Sequence, residues 1–275
     1  MHSKFIESAV IVQSPDEIDI PGLFIDPIES SGDSVIMLHG ITTHKDEFAN
    51  FHADLAHRLA DSGVASLRID FRGHGDSPVS SRLFTIASQL VDATAAYNWL
   101  SKKNTLHRIH LIGTSFGAPP SIFLATRTAI ATLNLISPVL DYDATFLHPS
   151  TEWASEFFNK RTIETAFRSG FLCMEDGFQI DVKLLSEMEI VRPYQFLSTL
   201  TASTLIIHGD ADSMVPYSLS EKYSLMAAQK VQLLGFPHME HGFYDADDET
   251  GASQKSRQNF ESIYKAIIAH IRCAK

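Results

Sequence analysis

Arg108-Ile109-His110-Leu111-Ile112-Gly113-Thr114-Ser115-Phe116-Gly117 is the stretch on which the reading of this chain turns. Its first half is a short apolar run of strand character. Its second half is a G-x-S-x-G pentapeptide leading into a helix-like segment. A serine between strand and helix occupies a sharp, strained turn, and glycines two positions to either side remove Cβ atoms that would clash there. The Ser115 hydroxyl then projects above the sheet, and the N–H groups that follow point at whatever it attacks. One pentapeptide thus proposes a nucleophile and a strand–turn–helix unit together.

A serine hydroxyl is a poor nucleophile at neutral pH; it needs a base, and the base needs an orienting carboxylate. Candidates for both come later in the chain. The strand-like run Thr204-Leu205-Ile206-Ile207 is followed by His208-Gly209-Asp210-Ala211-Asp212-Ser213-Met214-Val215-Pro216. The last such run, Lys230-Val231-Gln232-Leu233-Leu234, is followed by Pro237-His238-Met239-Glu240-His241-Gly242-Phe243. Nucleophile, acid, base is an informative order, because chymotrypsin-type and subtilisin-type triads run differently along their chains.

His241 is favoured as base because it sits deeper in its loop and precedes Gly242, which permits a tight approach; His238 is the rival. His39 and His208 each precede a glycine at a strand end and read as structural. Asp212 is favoured as acid because it stands far enough past its strand for the loop to curl toward the histidine. Asp210 reads as a tie for the loop backbone, and Asp141, ending the preceding strand, is a third option. A tetrahedral intermediate also needs two preorganised donors. The backbone N–H of Phe116, just after the nucleophile, is one, and that of Ile41, after His39-Gly40, is the other.

The chain has 275 residues, 44% hydrophobic and 20% charged, enough for one well-buried α/β domain with a sizeable insertion. A formal net charge of −11 argues against nucleic acid and anionic membrane as partners. Cys173 and Cys273 lie far apart, so no disulfide framework is expected and a reducing compartment fits. There is no signal-peptide core near the N-terminus and no apolar run of membrane-spanning length, which points to the cytoplasm. His238-x-x-His241 and His107-x-x-His110 lack a third ligand, so neither metal nor cofactor is expected. The glycine-rich Phe71-Arg72-Gly73-His74-Gly75 lacks the spacing of a phosphate loop and reads as a structural turn.

Along the chain, Ala9 to Phe24 reads as a pair of strands broken near Pro15 and Pro21. Val35-Ile36-Met37-Leu38 and Val64-Ala65-Ser66-Leu67-Arg68-Ile69 read as strands, the first buried on both faces. Between them the spacing of Phe48, Phe51, Leu55 and Leu59 predicts a helix over Lys45 to Ser62. A second helix carries Ile86, Leu90, Ala93, Tyr97 and Leu100 on its inner face, and the helix after Ser115 runs to about Arg127. Ser253 to Arg272 closes the chain as an amphipathic helix. Strand–helix alternation implies a mainly parallel sheet covered on both sides. The rhythm breaks over residues 141–199, where Phe146, Trp153, Phe157, Phe158, Phe167, Phe171, Phe178, Tyr194 and Phe196 exceed the chain's 10% aromatic average. A helical cap inserted between two strands is the expected structure, with helices buried only for stability as the competing reading. The core domain then comprises 1–140 and 200–275.

With these residues placed, the chain resembles serine hydrolases of the α/β-hydrolase superfamily, and within it the cytoplasmic feruloyl/cinnamoyl esterase-like group. The resemblance rests on His39-Gly40-Ile41-Thr42, on Ala65 to Ser77, on the Gly113–Gly117 elbow, on Asp212 with Val215-Pro216, and on His241. It implies an α/β-hydrolase fold with a mainly parallel eight-stranded sheet flanked by helices, and a cap between the sixth and seventh main strands. It also implies Ser115, Asp212 and His241 as nucleophile, acid and base. The expected activity is hydrolysis of small to medium acyl or aryl esters, hydroxycinnamoyl esters among them, through an acyl-enzyme. The expected partner is a small-molecule ester, with a homodimer as the one further association allowed. A thioesterase or acyltransferase would use the same residues, and a catalytically silent binding protein is the alternative of a different kind. The group commonly carries His before the serine and Gln-Gly-Gly after it; Thr114, Phe116-Gly117-Ala118 and Pro119-Pro120 stand here instead, and Phe116 narrows the acyl side.

Overall fold

Short apolar runs become strands β1 (Phe5–Gln13), β2 (Asp19–Pro27), β3 (Asp33–Leu38), β4 (Ala65–Ile69), β5 (Arg108–Thr114) and β6 (Thr132–Ile136). After a long insertion come β9 (Ser203–Gly209) and β10 (Val231–Phe236), the insertion itself holding a short hairpin, β7 (Phe171–Cys173) and β8 (Gln179–Asp181). These elements are seen in a computed structural model that describes residues 4–103, 108–174, 177–227, 231–248 and 250–274. The main sheet has eight strands in the order β1-β2-β4-β3-β5-β6-β9-β10. β1 and β2 pair antiparallel, as do β2 and β4, and the remaining pairs are parallel.

Period-two alternation splits the core between the two faces of the sheet. Ile36, Leu38 and Leu111 pack under helices α2 (Ile86–Ser101), α3 (Ala118–Ala125) and α7 (Tyr217–Ala227). Val35, Met37 and Ile112 pack under α1 (Phe51–Asp61) and α8 (Gln254–Cys273). Every residue of β3, β4 and β6 is buried, as expected of parallel strands covered on both sides. Thr85 starts α2 with a capping box, and Ser253 caps α8 where the sequence placed its start.

Four expectations need correcting. Pro21 does not break the early strands: it lies inside β2 opposite Ile11. The ladder from β2 to β4 begins only at Gly22, so proline stands at its end, where a missing N–H is tolerated. Helix α1 begins at Phe51, six residues after Lys45. Thr42, Glu47, Ala49 and Asn50 before it hold positive φ angles of 63°, 63°, 50° and 59°, incompatible with a regular helix. Helix α3 ends at Ala125 rather than Arg127, with Pro119 and Pro120 accommodated in its first turn, where N–H groups have no helical partner. Lastly, residues 141–199 are not all helical. Besides α4 (Glu152–Phe157), α5 (Lys160–Ser169) and α6 (Val182–Met188) they contain the β7–β8 hairpin, whose three-residue strands are too short to show a period.

Candidate active site

The parallel strands end on one edge of the sheet, and the loops leaving that edge hold the candidate residues. Ser115 directly follows β5, Asp212 and His241 follow β9 and β10, and Ile41 follows β3. Ser115 is held at φ 51°, a strained conformation for a residue with a side chain. Close packing forces the elbow: a Cβ on Gly113 would collide with Ser121 and the Gly117 carbonyl, and one on Gly117 with the Leu38 carbonyl. The strand, the turn and the helix can approach one another only with glycine at both positions.

Three side chains form one hydrogen-bonded line. Ser115 Oγ lies 3.1 Å from His241 Nε2, and His241 Nδ1 lies 2.8 Å from Asp212 Oδ2. The hydroxyl donates to Nε2, and Nδ1–H donates to the carboxylate, the tautomer a proton acceptor needs. Asp212 Oδ1 accepts the backbone N–H groups of Met214 and Val215 at 2.9 and 2.8 Å. Its Oδ2 also lies 3.0 Å from Nε2 of His208, which faces the Val215 carbonyl at 3.1 Å while Nδ1 meets Ser220 Oγ at 2.7 Å. With two oxygens around it, Nε2 of His208 is the donor.

Electrostatics follow from that wiring. Burial would raise the Asp212 carboxyl, but the His241 charge and the hydrogen bonds from His208 and His241 outweigh it and hold it well below the usual carboxylate range. Burial would lower the His241 imidazole; the Asp212 carboxylate, then Glu47 and Glu240, raise it instead. His39 and His52 are fully buried and pushed down to about 3, chiefly by desolvation. His39 accepts the Phe71 N–H, and His52 accepts the Thr114 hydroxyl next to the serine.

The rival candidates are engaged elsewhere. His238 is exposed, and its N–H is bound by Asp210, which ties the loop backbone. Asp141 accepts the N–H groups of Asp143 and Ala144 and the Tyr223 hydroxyl. Arg72 of the glycine-rich turn is clamped by Asp92 and Asp16. His110 sits near the start of β5 against Thr132, at the opposite edge from Ser115, and His107 lies outside the described residues.

A cavity of about 610 Å³ opens over Ser115. Ile41, Phe116, Glu47, Met214 and His241 line it, with Phe146 and Trp153 from the insertion. Phe48 lines it too, 43% exposed, although its spacing suggested the inner face of a helix. Phe116 is buried against Phe84, Tyr142 and Phe146. Other aromatics of the insertion pack elsewhere: Phe178 on His74, Tyr194 on Tyr223 and Phe196 on Phe123. Sequence reasoning missed two contributors. His208 packs and hydrogen-bonds structurally as expected, but its bond to Asp212 was not foreseen. Glu47 was passed over because it looked like a residue inside a helix.

The sheet order, the elbow after β5 and the insertion between β6 and β9 define an α/β-hydrolase fold. The sequence profile of the alpha/beta hydrolase family matches residues 35–252, and the chain belongs to that family. It is 24% identical over 264 residues to a putative uncharacterized protein of Saccharomyces cerevisiae, covering 85% of this chain and 76% of that one. Among solved structures it is similar to Est1E from Butyrivibrio proteoclasticus with ferulic acid bound, at a TM-score of 0.73 and 22% identity, covering 96% of this chain and 100% of that one. The esterase Pf2001 from Pyrococcus furiosus is similar at a TM-score of 0.68 and 19% identity, covering 98% of this chain and 92% of that one.

Proposed function

We propose that the protein is a serine carboxylic ester hydrolase that works through an acyl-enzyme on Ser115. The observation that carries this reading is the hydrogen-bonded line from Ser115 through His241 to Asp212 at the floor of an open cavity. His241 takes the hydroxyl proton as Ser115 Oγ bonds to the ester carbonyl carbon. The oxyanion then forms against the backbone N–H groups of Ile41 and Phe116. Collapse expels the alcohol, protonated by His241, and a water activated by the same imidazole releases the acid. Asp212 keeps Nδ1 protonated and stabilises the imidazolium.

Residues 1–140 and 200–275 serve as the core domain, and 141–199 as a cap that contributes to substrate choice through Phe146 and Trp153. The substrate is a small to medium acyl or aryl ester, since an apolar, aromatic cavity of this size favours such groups over long-chain triglycerides. The ferulic acid in Est1E and the name of the Pyrococcus esterase support an ester, hydroxycinnamoyl esters included. Among the described residues no helix is long and apolar enough to cross a membrane. The test is a profile of kcat/KM across p-nitrophenyl esters of increasing acyl length, hydroxycinnamate methyl esters and matched thioesters. The expected result is a maximum among short acyl or aryl oxyesters. A maximum among thioesters or long-chain esters would contradict it.

A further inference from the structure

We propose that Glu47 is a positioning residue of the Ser115 site: its carboxylate fixes the Gly40–Ile41 backbone that receives the oxyanion. The oxyanion role rests on the ester-hydrolase reading and the loop restraint on geometry; Glu47 and His241 also line one cavity, which puts the carboxylate within electrostatic reach of the imidazole. Glu47 is 6% exposed and lines the cavity. A buried carboxylate with no lysine or arginine paired to it among the described residues calls for a reason. Its oxygens are used by backbone: Oε1 accepts the Gly40 N–H at 2.7 Å, and Oε2 accepts the Phe48 N–H at 3.0 Å.

Those bonds span a loop that strain would otherwise relax. Thr42, Glu47, Ala49 and Asn50 all hold positive φ without being glycine, so the conformation persists only where its surroundings over-determine it. The carboxylate is such a restraint, joining the two ends of the segment 40–48. It also lies close to the nucleophile. The space a Cβ on Gly40 would fill is bordered by Glu47 Oε1 at 3.2 Å and Ser115 Cβ at 3.3 Å. The Gly40 carbonyl, in the same peptide plane as the Ile41 N–H, meets His39 Nδ1 at 2.6 Å, so with the Gly40 amide held by Glu47 the Ile41 amide has a fixed direction.

Glutamine cannot replace this carboxylate. One oxygen would become an NH₂ group facing a backbone N–H, and the negative charge would vanish. The charged groups that act on His241 are Asp212, Glu47 and Glu240. Asp212 touches the imidazole directly, whereas Glu240 is bound to the Ser213 hydroxyl and N–H.

The experiment compares wild type with Glu47→Gln in two measurements. The first follows the His241 ring proton by NMR against pH and needs no turnover, so it decides the charge role even if the ester reading fails. The midpoint should fall in Glu47→Gln by on the order of half a pH unit, and an unmoved midpoint overturns that role. The second is p-nitrophenyl acetate hydrolysis: kcat should drop about 30-fold with KM within about threefold, because a misplaced oxyanion donor is felt in the transition state. Wild-type kcat in the folded variant overturns the positioning role, whereas a wild type without turnover contradicts the ester reading instead. Should Glu47→Gln not fold, Glu47→Asp keeps the charge but withdraws the carboxylate from the Gly40 N–H. It should lower kcat by roughly threefold at constant KM, and unchanged kcat would overturn the proposal.

Discussion

Asp212 accepts two backbone N–H groups and two imidazole N–H groups, so each of its oxygens is committed. An asparagine there would turn an NH₂ toward His208 and His241, forcing one imidazole into the wrong tautomer. Asp212→Asn should therefore lower kcat/KM by about 10⁴-fold. Asp210→Asn should cost less than about tenfold, since the Asp210 carboxylate holds the His238 backbone and not the imidazole line. An inactive Asp210→Asn beside an active Asp212→Asn would reverse the assignment. The same residues set a pH dependence. A base works deprotonated, and the Asp212, Glu47 and Glu240 charges raise His241 against the effect of burial. The acid limb of kcat/KM should have its midpoint above the ordinary imidazole value of about 6.5. A midpoint near 5 would mean that those charges do not reach the imidazole.

At the level of elements, strands were the legible part. Parallel strands buried on both faces must be apolar throughout, so runs such as Val35-Ile36-Met37-Leu38 announce themselves. Chain order then led to Ser115, Asp212 and His241, which lie in hydrogen-bond contact. The loop before α1 was illegible for a physical reason. Phe48 stands three residues before Phe51, the interval of a helix face, yet positive φ angles at Glu47, Ala49 and Asn50 turn it toward the cavity. Nothing local encodes that path; it is imposed by contacts between Glu47 and the end of β3, distant in the pattern though near in the fold. The bond from His208 to Asp212 was hidden for the same reason, because it depends on how tightly the β9 loop curls. The elbow itself gives a sharp test. Since a Cβ at Gly117 would collide with the Leu38 carbonyl, Gly117→Ala should destabilise the fold by about 3 kcal/mol in urea denaturation. A loss below about 0.5 kcal/mol would mean that β3 and α3 can separate at no cost.

For the molecule as a whole, buried neutral histidines should shape stability against pH. His39 and His52 are pushed down to about 3 by burial, so between there and about 6.5 the unfolded chain binds protons that the folded chain refuses. Unfolding free energy should therefore fall as pH drops below about 6.5, with a slope approaching two protons, or about 2.7 kcal/mol per pH unit. His241, raised in the folded state, adds stability that is complete below about 6.5 and cannot cancel this loss. Urea midpoints from pH 7 to 5 would check it, and a flat curve would contradict it. All of this surrounds one claim: Ser115 is an activated nucleophile. Its most direct measurement is labelling of the intact protein by a fluorophosphonate probe, read by mass spectrometry. One label per chain on Ser115, absent from a folded Ser115→Ala variant, is the result expected. A folded wild-type protein that stays unlabelled, or takes its label on another residue, would contradict it.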